Sequence, residues 1–387
     1  MMKVLLVSAQ SAISGANKSM CVLAEHLIKY GCDVTIALRK NGDILQEIEH
    51  RGLKYVVLRN YNWTVPVSEN NISSTIIKKS IANMLEKSKI KRYLKKEKFD
   101  IVHNNSISSF LVAECAEELG MKVIWHFREF LEEDHGLTIS KLYHPEKLIN
   151  KANVGIAISS SILDKYQKKY TLPIQLIYNG IEYADFWCER DIFVRKIISV
   201  AVIGRVCEGK NQLEAIKALL WLNDQGINNI ELHLIGEKEE HSDYYKMIIG
   251  YLGTEAKAIK DRVYFDGVIS DIANEYKSLD IVIVPSVSEA FGRVAVEAMY
   301  SGCYVIGANT AGTVEVLNKR YSGLYELGNV SDLGSILSQV INNQVEFRMK
   351  AKQAQEYAVN TFTAEKNAEH IYELYKNLLC GNVEIRA

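Results

Sequence analysis

Residues 280–306 read Asp280-Ile-Val-Ile-Val284-Pro285-Ser286-Val-Ser-Glu289-Ala-Phe291-Gly292-Arg293-Val-Ala-Val-Glu297-Ala-Met-Tyr300-Ser-Gly-Cys-Tyr304-Val-Ile306, and their order decides the fold. A continuous apolar run, Asp280–Val284, is stopped by Pro285. Gly292 then stands before a helical run, Arg293–Tyr300, and a second apolar run opens at Tyr304. A strand of this kind is apolar on both faces, so both faces must be covered. The alternation of strand, loop, helix and strand predicts a parallel sheet between two helix layers.

The same grammar extends outward in both directions. Short β-branched runs occupy Lys3–Val7, Asp33–Ala37, Tyr55–Leu58, Ile101–His103, Lys122–Trp125, Val154–Ile158 and Ile174–Ile177. A second series follows at Ile197–Ile203, Ile230–Ile235, Val263–Phe265, Asp280–Val284 and Tyr304–Ile306. Amphipathic stretches such as Asn17–Tyr30, Ile107–Leu119 and Asn211–Asp224 lie between them. With 387 residues the chain suits two cores, and the break between the series falls near Phe186–Arg195. The expected division is 1–185, 186–360 and a terminal helix over 361–387.

Composition excludes several classes. The chain is 48% apolar and 24% charged with a net charge of −1, which gives no reason to expect a nucleic-acid partner. No stretch approaches the roughly 18 apolar residues of a membrane span. The opening Met1–Ser8 is too short an apolar run for a signal peptide and reads as a buried strand. The seven cysteines form no C-x-x-C pair, the usage of a reducing, cytoplasmic environment.

Doubly wound sheets bind ligands at the carboxyl ends of their strands. In the first half, Lys3–Val7 leads to a loop holding Gly15 and Ala16. That loop lacks G-x-G-x-x-G, and Gly15-Ala-Asn-Lys18-Ser19 fails the P-loop spacing. Gly15 is either a turn residue or a point of close approach to a phosphate. In the second half, Ile197–Ile203 ends in Gly204-Arg205, with Lys210 five residues on. These are either two cations for a diphosphate or ordinary surface charges. Glu289 and Glu297 stand eight residues apart, roughly 12 Å at helical rise. Paired glycosidase carboxylates need about 5–9 Å. The wider spacing suits two acceptors gripping hydroxyls at opposite ends of an extended ligand.

Taken together, P-S-x-x-E-x-F-G-x-x-x-x-E-A-M over 285–299, the later G-x-x-E, the upstream Gly204-Arg205 with Lys210, and Tyr178-Asn179-Gly180-Ile181-Glu182 resemble the E-x7-E signature of glycosyltransferase family 4. The resemblance implies the GT-B fold: two doubly wound, Rossmann-like α/β domains facing across a cleft, with the C-terminal helix returning to the first. It implies a retaining EC 2.4 transferase of hexosyl or N-acetylhexosaminyl type, taking a nucleotide diphosphate sugar as co-substrate, UDP-sugar favoured. The acceptor class it implies is a glycan or lipid-linked saccharide of the cell envelope. Carried over, Arg205 and Lys210 neutralise the diphosphate, the Phe291 and Gly292 backbone meets sugar or phosphate, Glu297 holds the ribose and Glu289 reaches the transferred sugar. Gly15 belongs to the donor loop. His126, after the strand Lys122–Trp125, matches a functional histidine near the reacting sugar. Arg128 and Glu129 either orient a substrate or form a structural ion pair, and Asn104 is a weaker acceptor-side candidate. No D-x-D occurs, and Glu132-Glu133-Asp134 reads as a solvated helical run, so no metal cofactor is expected. Ala16 and Thr313 stand where glycine is frequent in the family.

Two alternatives share the architecture, a nucleotide-sugar epimerase or a phosphorylase, but neither matches the motifs. A non-catalytic partner subunit would be expected to lose Arg205, Lys210, Glu289 or Glu297, and all four are present. Residues Lys78–Lys98 carry nine basic and two acidic side chains, with Ile77, Ile81, Met84 and Leu85 on one helical face. That pattern fits peripheral docking on the inner face of a membrane, or a core-facing helix with a solvated basic side.

Overall fold

The computed structural model describes residues 1–68 and 73–381. The chain divides into two units: unit 1 is Met1–Ile181 with the segment from Ala364 onward, and unit 2 is Glu182–Thr363. The expected division placed unit 2 at 186–360. Residues 382–387 of the expected terminal segment lie outside the described residues.

Unit 1 carries strands β1 (Lys3–Val7), β2 (Asp33–Leu38), β3 (Lys54–Val57), β4 (Thr64–Pro66), β5 (Ile101–Asn104), β6 (Lys122–Phe127), β7 (Leu137–Ile139), β8 (Val154–Ala157) and β9 (Ile174–Leu176). Its helices are α1 (Gly15–Lys29), α2 (Ile44–His50), α3 (Ser74–Glu97), α4 (Leu111–Glu118), α5 (Leu131–His135), α6 (Pro145–Ile149) and α7 (Ser160–Gln167). Among the described residues the main sheet has seven parallel strands in the order β3-β2-β1-β5-β6-β8-β9. The order reverses between β1 and β5. Strands β4 and β7 form a separate antiparallel pair, Thr64 opposite Ile139. Neither Thr64–Pro66 nor Leu137–Ile139 is among the strand runs expected from the sequence.

Unit 2 repeats the plan with β10 (Ile198–Ile203), α8 (Gln212–Asp224), β11 (Ile230–Ile235), α9 (Asp243–Gly253), β12 (Val263–Gly267), α10 (Ile272–Tyr276), β13 (Ile281–Val284), α11 (Arg293–Tyr300), β14 (Tyr304–Ala308), α12 (Ala311–Val316), β15 (Gly323–Tyr325), α13 (Val330–Asn342) and α14 (Gln344–Thr361). Its six-stranded sheet runs β12-β11-β10-β13-β14-β15, a dinucleotide-fold order that reverses between β10 and β13.

Helix α15 (Ala364–Cys380) completes unit 1. Its register is set where Ala364 N donates to Ile181 O at 3.0 Å and Asn367 Nδ2 to Tyr178 O at 2.7 Å. Ala368, Ile371, Leu374, Tyr375 and Leu378 then join Met20, Leu23 and Leu27 of α1 over Val4, Leu6, Ile124 and Ile156 of the sheet. Each such aliphatic side chain contributes about 1.5–3 kcal/mol on burial.

Helix α3 packs on unit 1 through residues other than the apolar stripe. It buries Ile76, Asn83, Ile90 and Leu94, while Ile77, Ile81, Met84 and Leu85 are 45–67% exposed. The apolar stripe seen in the sequence is therefore not the face packed on unit 1. No described helix is long and apolar enough to cross a membrane.

Candidate active site

Each sheet presents loops at the point where its strand order reverses, the usual ligand crevice of such sheets. In unit 2 the two loops follow β10 and β13. The first leaves Gly204 and the exposed Arg205, then turns through Glu208–Lys210 to Asn211, which sits in the left-handed region at φ 50°. Glu214 locks that turn. Its carboxylate accepts from Asn211 Nδ2 (2.5 Å), Tyr325 Oη (3.0 Å) and the Gly328 amide (2.6 Å). Lys210 is thus delivered from a rigid corner.

The second loop is tied to the first where Val287 N donates to Gly209 O at 3.0 Å, and to β14–α12 where Gly312 N donates to Glu289 O at 2.8 Å. Gly312 is required for that approach, because a Cβ there would lie 2.7 Å from Glu289 O. Gly292 has φ 96°, a conformation that costs other residues roughly 1–2 kcal/mol. It starts α11, and no side chain caps that helix end. Backbone N–H groups at such a start form an anion site.

Between these loops Lys210 Nζ meets Glu289 Oε2 at 2.6 Å, both side chains partly exposed. Glu297 is almost buried and already engaged: Oε1 accepts from Arg293 Nη2 at 2.9 Å and Oε2 from Tyr276 Oη at 3.2 Å. Burial, with Glu297 beside it, raises the Tyr276 phenol well above its ordinary range, so it stays a neutral donor. The Phe291 ring is buried edge-on to Phe362 at 5.6 Å, so its side chain is core and its backbone is the part at the helix start. The sequence reading placed Lys210, Glu289, Phe291, Gly292 and Glu297 in one site, and they share this end of the sheet. It missed the Lys210–Glu289 pair, because nothing in a sequence shows that residues 79 positions apart touch.

In unit 1 a cavity of about 340 Å³ opens beside the β1/β5 reversal. It is lined from the first loop by Gln10, Ser14, Ala16 and Asn17, and from the second by Asn105, Ser106 and Ser108. Arg128 and Glu129, the first residues past β6, line it too. Arg128 donates to Asn105 Oδ1 at 3.3 Å and to Asn179 Oδ1 at 2.7 Å. Ser106 Oγ donates to Glu129, whose carboxyl burial pushes up to about 7 against the counter-effects of Ser106 and Arg128. The cavity also takes Asn62 and Thr64 from the β4 segment and Asp134, His135 and Leu137 from the α5–β7 segment, none of which the sequence reading proposed as lining. Trp63 anchors the former, its Nε1 donating to Ile107 O at 2.7 Å and its ring stacked on Phe110. Glu132 and Glu133 pair with Lys165 at 2.6 and 2.5 Å, leaving Asp134 as the member of that acidic run at the cavity.

Three expectations change position. His126 is fully buried and does not line the cavity. Strand β6 runs two residues beyond its expected end, so the imidazole stays inside the sheet layer. Its Nδ1 lies 3.0 Å from His103 Nε2, and His103 Nδ1 lies 2.6 Å from Tyr375 Oη on α15. Burial first, then the Arg128 charge, lowers both imidazoles, His103 to about 3, so they are neutral. Asn104 is likewise the last strand residue; its amide donates to Ser106 O and Ser109 O and shapes the loop, while Asn105 lines the cavity. Gly15 is the first residue of α1, and its neighbours Ser14 and Ala16 line the cavity.

Comparison with known proteins gives two family models that together cover most of the chain. One, described as Glycosyltransferase Family 4, matches residues 13–185, and the other, Glycosyl transferases group 1, matches residues 193–361. The chain is similar to the O-antigen biosynthesis glycosyltransferase WclY of Escherichia coli, 25% identical over 80% of this chain and 85% of that one. It is also similar to the Escherichia coli UDP-Gal:alpha-D-GlcNAc-diphosphoundecaprenol alpha-1,3-galactosyltransferase, 24% identical over 81% and 83%. Among solved structures, Anabaena Alr3699/HepE in complex with UDP-glucose superposes with a TM-score of 0.78 at 21% identity, over 97% of this chain and 100% of that one. At that identity the likeness shows the fold.

Proposed function

For this chain, which belongs to glycosyltransferase family 4 and has the GT-B fold, we propose transfer of a hexosyl or N-acetylhexosaminyl group, with retention, from a UDP-sugar to a glycan or lipid-linked acceptor. The observation that carries this reading is the Lys210–Glu289 pair at the strand-order reversal of unit 2, beside the uncapped start of α11. The two relatives just described support the acceptor class, because one serves O-antigen synthesis and the other acts on a diphosphoundecaprenol-linked sugar.

The chemistry follows from charge. When the bond from the anomeric carbon to the diphosphate breaks, its electron pair remains on the leaving oxygen. Arg205, Lys210 and the amides at Phe291–Gly292 meet that charge without reorganising, which is where fixed dipoles are most effective. They fill the role of a divalent ion, so the reaction needs no metal. Glu289, held by Lys210, accepts hydrogen bonds from the transferred sugar. Glu297, oriented by Arg293 and Tyr276, keeps lone pairs for the ribose hydroxyls. In unit 1, Arg128 and Glu129 take the acceptor-side role, and His126, expected as the histidine near the reacting sugar, serves with His103 as a buried strut.

The exposed face of α3 supports peripheral attachment to the cytoplasmic leaflet. Ile77, Ile81, Met84 and Leu85 lie on a helix whose Lys78, Lys89, Arg92, Lys95 and Lys96 are also exposed, a match to an anionic lipid surface. The function is tested by a donor panel that measures nucleotide diphosphate release with and without EDTA. UDP-sugar turnover unaffected by EDTA is expected. Loss of turnover with the chelator would overturn the metal-free mechanism, and turnover of GDP-sugars alone would overturn the donor assignment.

A further inference from the structure

The chain leaves β6 at Phe127, and the next two residues already line the cavity, so the direction of that exit decides where Arg128 and Glu129 stand. Ser106 holds the Glu129 carboxyl. The backbone of the same residue is held from α7, where Tyr166 Oη donates to Glu129 O at 2.9 Å. Burial first, then the neighbouring Glu129, raises that phenol far above its ordinary range, so it remains a neutral donor. Packing locates the ring. Tyr166 is 1% exposed and stacks on Phe127 with centroids 4.6 Å apart, and Tyr170 stacks on both at 5.9 and 6.0 Å. Phe127 has room because β8 carries Gly155 beside it; a Cβ there would lie 2.7 Å from the Phe127 ring. Farther along, Lys165 pairs with Glu132 and Glu133 and lies 5.5 Å over the Phe130 ring. One short helix, capped where Ser159 Oγ accepts from Ile162 N at 3.2 Å, thus grips the segment after β6 at several points.

From these contacts we infer that Tyr166 is a positioning residue for the unit 1 site: stacked on Phe127 and bonded to the Glu129 carbonyl, it sets the exit of the chain from β6. With that exit it sets the places of Arg128 and Glu129 at the cavity. The bond to Glu129 O fixes the plane of the 129–130 peptide, and a planar peptide leaves only φ and ψ free on either side. The Glu129 side chain then leaves the backbone in one direction. Tyr170 supplies the contrast. It belongs to the same stack, but its Oη has no hydrogen-bond partner among the described residues. Stacking is therefore common to both phenols, and the grip on the backbone belongs to Tyr166.

The inference rests on the reading of this cavity as the acceptor side, and its test separates the two. Amide hydrogen exchange of the full chain is compared for the parent, Tyr166→Phe and Tyr170→Phe, under conditions where urea titration shows each to be fully folded. Tyr166→Phe is expected to speed exchange over residues 128–136 by about threefold to tenfold, the range for one lost hydrogen bond, with Tyr170→Phe unchanged. Gly155→Ala crowds Phe127 while leaving the phenol in place, and is expected to loosen the same segment. Kinetics use octyl N-acetyl-α-glucosaminyl diphosphate as the probe acceptor, with the donor that the panel favours. There Tyr166→Phe should raise the acceptor KM by a similar factor while the donor KM moves less than about twofold. A merely structural role would lower the folded fraction and leave both constants alone. Equal exchange in Tyr166→Phe and Tyr170→Phe would overturn the inference, as would a Tyr166→Phe effect confined to the donor KM. Faster exchange in Tyr166→Phe, with no nucleotide release from any donor, would support the positioning and sink the transferase reading.

Discussion

Lys210 Nζ lies 2.6 Å from Glu289 Oε2, so the loops after β10 and β13 are joined by a cation and a carboxylate at the point where the strand order of unit 2 reverses. Partly exposed pairs of this kind add little stability. In the proposed transferase their value is position: each holds the other at the loop where the donor's diphosphate and sugar would meet.

The two members should separate in a binding experiment. Lys210→Ala is expected to weaken UDP binding in calorimetry, because it removes a positive charge. Glu289→Gln is expected to leave UDP binding equal or tighter, while lowering kcat on the order of 10²–10³-fold, the range for losing one polar group aimed at the reacting centre. Equal weakening by both variants would mean that the pair acts as one unit and that the separate roles are wrong.

Glu297 and Tyr276 allow stability and donor affinity to be told apart. Glu297→Ala leaves a buried phenol without its 3.2 Å acceptor, costing about 1–3 kcal/mol in a urea titration, and raises the donor KM. Tyr276→Phe keeps the carboxylate and should cost about 0.5–1.5 kcal/mol with a smaller KM change. A larger KM effect for Tyr276→Phe would reassign the ribose contact.

Gly312→Ala tests how closely the loops must approach. The added Cβ would lie 2.7 Å from Glu289 O, so the Glu289 loop must move. A shift near 1 Å at a positioning residue costs about 10²-fold in rate. Steady-state kcat/KM should therefore fall by roughly that factor, and a variant with parental kinetics would show that the loop is compliant.

The Glu129 carboxyl predicts a pH-dependent stability. Its value in the fold is raised to about 7 from 4.5, chiefly by burial. The native state then holds a proton that the unfolded chain has released, so stability is highest below about 4.5 and falls as pH rises through about 7. Glu117, raised to about 8, adds an overlapping slope, so the measurement is the difference between the parent and Glu129→Gln. The variant should show a shallower fall in midpoint denaturant concentration over that window; an unchanged slope would place the ionised carboxylate in the native state.

Helix α3 offers the test of membrane docking. Ile81→Asp with Leu85→Asp changes two residues that are 53% and 67% exposed, so the fold should survive. Flotation with anionic vesicles should drop strongly, and Lys95→Glu with Lys96→Glu should cost about 1 kcal/mol or more per site in a salt-dependent way. Binding that ignores both salt and these changes would remove the docking surface.

Much of this protein was legible in the residues alone, for physical reasons. Strands buried on both faces must be continuously apolar, and helices over them must be amphipathic, so two doubly wound sheets could be counted in order from Lys3 to Tyr304. The loop chemistry that follows a strand end is local as well, which is why Arg205, Lys210, Glu289, Gly292 and Glu297 stood out. Strand length was the weak link. Two extra residues on β6 moved His126 from the site into the layer against His103 and Tyr375, and one on β5 did the same for Asn104. Only the tertiary structure could bring Lys210 to Glu289, gather Asp134, Asn62 and Glu129 around one cavity, and turn the Ile77–Leu85 stripe of α3 outward. Those outcomes depend on contacts between residues far apart in the chain, and a sequence records periodicity along one element but not which face of it the rest of the molecule will cover.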